Sequence, residues 1–97
     1  MNCFIGIGNS DNHLSQADWA TFIEDVDILV RPFRIHGRWF SAPDSAFQNA
    51  AWCIEFEHHP SDAIDALRPC LALLAKRYQQ DSIALTCGRP EFIGVAP

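Results

Sequence analysis

The chain is short of the features that would assign it quickly. No apolar run in its 97 residues approaches the ~18 needed to cross a bilayer. The N-terminus lacks the basic stretch and apolar core of a signal peptide, so a cytoplasmic location is expected. Basic residues are scarce: 7 Lys and Arg against 12 Asp and Glu give a formal net charge of −5. That balance argues against direct nucleic-acid binding, which needs a basic surface, and suits a partner protein with a basic patch. No C-x-x-C occurs among Cys3, Cys53, Cys70 and Cys87, which speaks against a zinc ribbon or a redox motif. Helical H-x-x-x-H pairs are missing too, so no metal or other cofactor is expected. Gly6-Ile7-Gly8 lacks the third glycine of a dinucleotide fingerprint. No repeat, linker or low-complexity tract appears.

What is present reads as one domain with one core, spanning 1–97. The organising stretch runs from Phe33 to His59. Phe33–Phe40 and Ala50–His59 alternate as strands joined by the polar loop Ser41–Ala50. On the first strand, Phe33, Ile35 and Trp39 share one side, and Arg34, His36, Arg38 and Phe40 the other. On the second, Trp52, Ile54 and Phe56 oppose Cys53, Glu55 and Glu57. Pairing Arg34 with Glu57 brings His36 to Glu55 and Arg38 to Cys53. The result is an apolar face and a charged stripe.

Before the hairpin, Cys3–Gly8 alternates as a first strand. Asn9–His13 has turn chemistry. Ser15 opens a helix with Asp18 in a capping-box position, and Leu14 and Trp19 are spaced as a hydrophobic staple. Trp19, Phe22, Ile23, Val26 and Val30 form its buried stripe, while Asp18, Thr21, Glu24 and Asp25 lie outward as an acidic face. Arg31-Pro32 ends it. After the hairpin, Ser61 caps a second helix with the stripe Ile64, Leu67, Leu71, Leu74 and Tyr78. The stripe keeps phase across Pro69, which favours a kink over a break. Asp81 closes the helix. Ser82–Cys87 is the last strand, with Ile83, Leu85 and Cys87 inward, and Glu91–Val95 is a candidate edge segment. The four cysteines read as buried free thiols.

The order β-α-β-β-α-β, with right-handed crossovers, predicts a ferredoxin-like α+β sandwich. Two helices cover one face of a four-stranded antiparallel sheet of order 4-1-3-2, and the other face stays open. Three places are candidates for function. The acidic helix face (Asp18, Glu24, Asp25) and the loop (Asp44, Phe47, Gln48) suit contact with a protein. The loop exceeds the usual two to five hairpin residues. Its bland alternative has Phe47 packed on the core, with Gln48 and Asn49 satisfying backbone groups. The open face, with Arg34, His36, Arg38 and Glu55, suits an anion or nucleotide, or forms plain cross-strand ion pairs. Phe4 and Phe40 would make that face partly apolar and open to homodimer formation. His58-His59 point to opposite faces of a strand, a poor metal site.

Ser15–Phe22, His36–Trp39, Gln48–Glu55 and Tyr78–Ala84, taken together, resemble small proteins encoded by bacteria and their phages. Acidic phage proteins of this size include inhibitors of bacterial defence systems, of the anti-CRISPR type. The resemblance implies a non-enzymatic protein-binding module that occludes a basic site on a host complex. It carries no catalytic residue. A small-ligand protein or small enzyme using the open face is the alternative.

Overall fold

The computed structural model describes residues 2–9, 13–55, 61–88, 91 and 93–95. Its elements are β1 (Asn2–Gly8), α1 (Gln16–Val30), β2 (Arg34–Phe40), β3 (Asn49–Glu55), α2 (Ser61–Arg77) and β4 (Ala84–Gly88). The strands form one antiparallel sheet of order β2-β3-β1-β4, the expected order read from its other edge.

Strand alternation decides which residues reach the core. Cys3, Ile5 and Ile7 of β1 and Ala50, Trp52 and Ile54 of β3 are buried. They meet Trp19, Phe22, Val26 and Val30 of α1, Leu67 and Leu71 of α2, and Tyr78. These are the stripes that helical spacing picks out. The Phe22 and Tyr78 rings stack at 4.4 Å, and Trp19 stands edge-on to Phe22 at 6.1 Å. Ser15 caps α1 as expected, its hydroxyl accepting from the Asp18 amide at 3.1 Å.

α2 passes through Pro69 as one helix and ends at Arg77, short of the expected Asp81. Gln79 takes a left-handed φ of 54°. The Gln80 amide reaches back to the Ala75 carbonyl (2.8 Å) and the Gln79 amide to the Lys76 carbonyl (3.2 Å). That is a Schellman ending built without its usual glycine. The Gln79 side chain pairs with the His13 ring.

Two expectations need correction. The first is the thiols. Cys3 and Cys87 form a disulfide. The two residues are direct partners between β1 and β4, with Cα atoms 4.1 Å apart, close enough to be bridged. Cys70 is an exposed free thiol, and Cys53 is half-buried.

The second is the hairpin register. Arg34 faces Glu55, not Glu57, and the pairing then slips: Ile35 opposes Ile54, but Gly37 opposes Cys53. His36 is the extra residue of a β-bulge. One extra residue reverses every side chain beyond it. Arg38 and Phe40 therefore face the helices, and Trp39 takes the open face. Arg38 donates to Asp27 of α1 at 3.1 Å, and Phe40 stands edge-on to Trp52 at 5.9 Å. Phe56, Glu57, His58 and His59 lie outside the described residues.

Candidate functional site

The loop between β2 and β3 is held by hydrogen bonds at nearly every step. At its base, the Ser41 amide donates to the Asn49 carbonyl and the Asn49 amide to the Ser41 hydroxyl, both at 2.9 Å. Inside it, the Ser45 amide donates to the Ala42 carbonyl (2.9 Å) and the Phe47 amide to the Ser45 hydroxyl (3.1 Å). Asn49 Nδ2 donates to the Phe47 carbonyl at 2.9 Å.

Gln48 anchors the loop from below. Its side chain is 6 % exposed, too buried to touch a partner directly. Gln48 and Gln16 exchange amide hydrogen bonds at 2.8 and 2.9 Å. Asn9, itself buried, donates from Nδ2 to Gln48 Oε1 at 3.1 Å and accepts from the Leu14 amide at 2.9 Å. The Asn9 amide also donates to the Gln48 carbonyl at 2.8 Å. A buried amide is stable only when its donors and acceptors are met. Here they join Asn9, just past β1, the first residue of α1 and the hairpin loop into one unit. A pocket of about 330 Å³ lies over this joint, lined in part by Pro43, Asp44 and Ser45.

Phe47 is the exception to this inward satisfaction. Its neighbours are fixed, yet its ring is 69 % exposed and does not pack on the core. Asp44, three residues earlier, is exposed as well.

The acidic helix face divides. Asp18 and Glu24 are exposed. Asp25 is not a free outward carboxylate: it accepts from the Tyr78 hydroxyl at 2.5 Å and from Arg77 at 3.3 Å, joining α1 to α2. Burial first, then the hydrogen bond to Asp25 and its negative charge, push the Tyr78 phenol up to about 12. Asp27, absent from the expected site, takes both Arg38 and the Trp52 indole N–H, the latter at 2.7 Å.

The open face keeps only part of its expected stripe. Arg34 stands opposite Glu55, and His36 Nε2 lies 3.6 Å from Glu55. Arg38 is on the other side. In its place the bulge delivers Trp39, 55 % exposed, across from Phe4, 52 % exposed. Between them a shallow apolar hollow of about 260 Å³ has Gly37, Ala51 and Cys53 as its floor. The signal for this change was Gly37 itself, since a glycine inside a strand often marks a bulge.

Among the described residues no group of three or more His, Cys, Asp or Glu converges as metal ligands. None of their helices is long and apolar enough to cross a membrane. No protein-family model, curated protein or solved structure matches the chain.

Proposed function

We propose that this is a ferredoxin-like domain that works by binding another protein, with the loop 41–48 as its contact. The observation that carries this reading is Phe47, an aromatic ring left in water by a loop whose backbone is already ordered. Such a ring adds binding area without the entropy of ordering a loop at the moment of contact. Aromatic side chains of this kind supply much of the energy of protein interfaces. Asp44 on the same loop, with Asp18 and Glu24 on α1 and the net charge of −5, suits a partner with a basic surface. In the setting that the resemblance implies, the partner is a basic site on a bacterial defence complex, and the protein is its inhibitor.

The test places a photo-crosslinking residue at Phe47 and, as a control, at the exposed Leu73 on α2. A partner captured from a bacterial lysate only through position 47 supports the reading. Phe47→Ala should then weaken binding of that partner by about 30-fold or more, as loss of ~2 kcal/mol or more at an anchor residue implies. Equal capture from both positions, or binding unchanged in Phe47→Ala, overturns it.

The hollow between Phe4 and Trp39 supports a second reading, a small planar anion held beside Arg34 and His36. Calorimetry against a nucleotide panel tests it. Heat that disappears in Trp39→Ala favours it, and no heat with any nucleotide rejects it.

A further inference from the structure

Among the described residues, the two most exposed large apolar side chains are Ile93 and Val95, at 88 % and 98 %. They follow β4 and stand two apart, so an extended chain turns both to one side, with Glu91 on that side as well. Among the described residues β4 is an edge strand, paired with β1 alone, and its outer backbone groups meet no other described strand. Alongside it runs a groove of about 890 Å³ between α2 and β4. Leu71, Ala72 and Ala75 form its helical wall, and Leu85 of β4 with Ile83 just before it the opposite wall.

The groove has a polarity that fits the segment. Arg68 and Lys76 line it, eight residues and so about 12 Å apart along α2. Asp81 lies at the Lys76 end. At the other end Arg68 gives Nη1 to Asp65 of its own helix at 2.6 Å, and its 61 % exposed guanidinium keeps further donors for Glu91. A strand entered with Glu91 at the Arg68 end runs antiparallel to β4, and its Ile93 and Val95 then meet the apolar walls. The stretch from Gly88 to Val95 can span about 23–25 Å, more than the ~16 Å of five-residue β4.

The segment cannot easily serve its own chain in this way. A two-residue turn at Arg89-Pro90 would pair Ile93 with Thr86 and Val95 with Ala84, whose side chains lie on the open face, opposite the groove. It would also need left-handed residues where proline is fixed near −65°. A three-residue turn would restore the face but needs a left-handed residue, and residues 89–91 contain no glycine. A second copy has neither restriction.

We propose that two copies of this chain exchange the segment 91–95, each segment adding as an antiparallel strand to the other's β4 with Ile93 and Val95 in the α2–β4 groove. Reciprocal exchange closes on a two-fold axis, so the assembly stops at a dimer.

Sedimentation velocity and light scattering on the full chain test this. The parent protein should have twice the chain mass. The double variant Ile93→Asp, Val95→Asp should be a monomer, because it asks the groove to bury two charges. Ala72→Trp, at an exposed helix position, should also be a monomer because it fills the groove. Thermal melts verify that both remain folded. Mixing the two should restore a one-to-one complex, since one supplies the groove and the other the segment. Trp39→Asp, on the open face, should remain dimeric. A parent that is monomeric at every concentration overturns the proposal. So does a dimer that survives both groove and segment variants, or one lost only in Trp39→Asp.

Discussion

Gln79 is the residue whose own preference disagrees most with its place. Left-handed φ disfavours any side chain with a Cβ, and Gln79 holds the position that glycine usually occupies at a helix end. Gln79→Gly should raise stability by about 0.5–1 kcal/mol in urea denaturation, net of a small loss from the exposed His13 contact. Tyr78 is the only tyrosine, so its ionisation can be followed alone in the ultraviolet. Its folded pKa is pushed up to about 12, against about 10 in an unfolded chain. Below pH ~10 both states keep the proton and the contribution is complete. Between about 10 and about 12 only the unfolded phenol ionises, so stability falls as pH rises. Tyr78→Phe should remove that slope; a slope that persists would place the dependence elsewhere. Trp52 is fully buried, with its indole N–H on Asp27. Trp52→Ala should cost ~3–5 kcal/mol through the cavity it leaves. Trp52→Phe should cost ~1.5–3 kcal/mol, chiefly for the hydrogen bond to a charged acceptor.

At the scale of elements, the bulge in β2 makes an unusual prediction. Deleting a residue from a strand ordinarily turns everything beyond it to the wrong face. Deleting His36 should not, because Ile35 and Gly37 already oppose the consecutive residues Ile54 and Cys53. The shortened chain should fold with Arg38 still on Asp27 and Trp39 still outward, losing no more than ~1–2 kcal/mol. A collapse of stability would mean that the bulge is needed for the sheet's twist. This hairpin also marks the limit of what the sequence made legible. Helical stripes, the Ser15 cap, the inward faces of β1 and β3, and the element order follow from local spacing and agree with the structure. The face of Arg38 and Trp39 does not, since alternation is blind to one extra residue. Asp25 misled in the same way, since it reads as an outward carboxylate, and Asp27 drew no reading; only tertiary contact supplies the Tyr78 and Trp52 donors. The loop was legible as an outlier in length. Whether Phe47 packed inward or stood in water depended on the Asn9–Gln16–Gln48 joint, whose members come from three separate segments.

For the whole molecule, the Cys3–Cys87 bond is the longest covalent tie, with a sequence separation of 84. The expected strand order already placed β1 beside β4 with both thiols inward. What remained hidden was the register that sets Cys3 against Cys87. Closing so long a loop removes much freedom from the unfolded chain, and reduction should lower stability by about 2–4 kcal/mol. Thermal melts with and without reductant check this, and the double variant Cys3→Ala, Cys87→Ala should melt alike in both. Disulfides persist mainly in oxidising compartments, so in a reducing cytoplasm the protein would operate at the lower figure.

The same bond decides how the protein carries tension. Strands β1 and β4 lie side by side, and a load applied between residue 2 and residue 88 meets the sulfur bridge one residue in from either grip. The sheet and both helices sit behind that bridge, mechanically out of circuit. In a single-molecule pulling experiment the oxidised protein should extend hardly at all at forces that unravel ordinary sheets. Adding a reductant should release about 300 Å of hidden contour as the 84-residue loop opens.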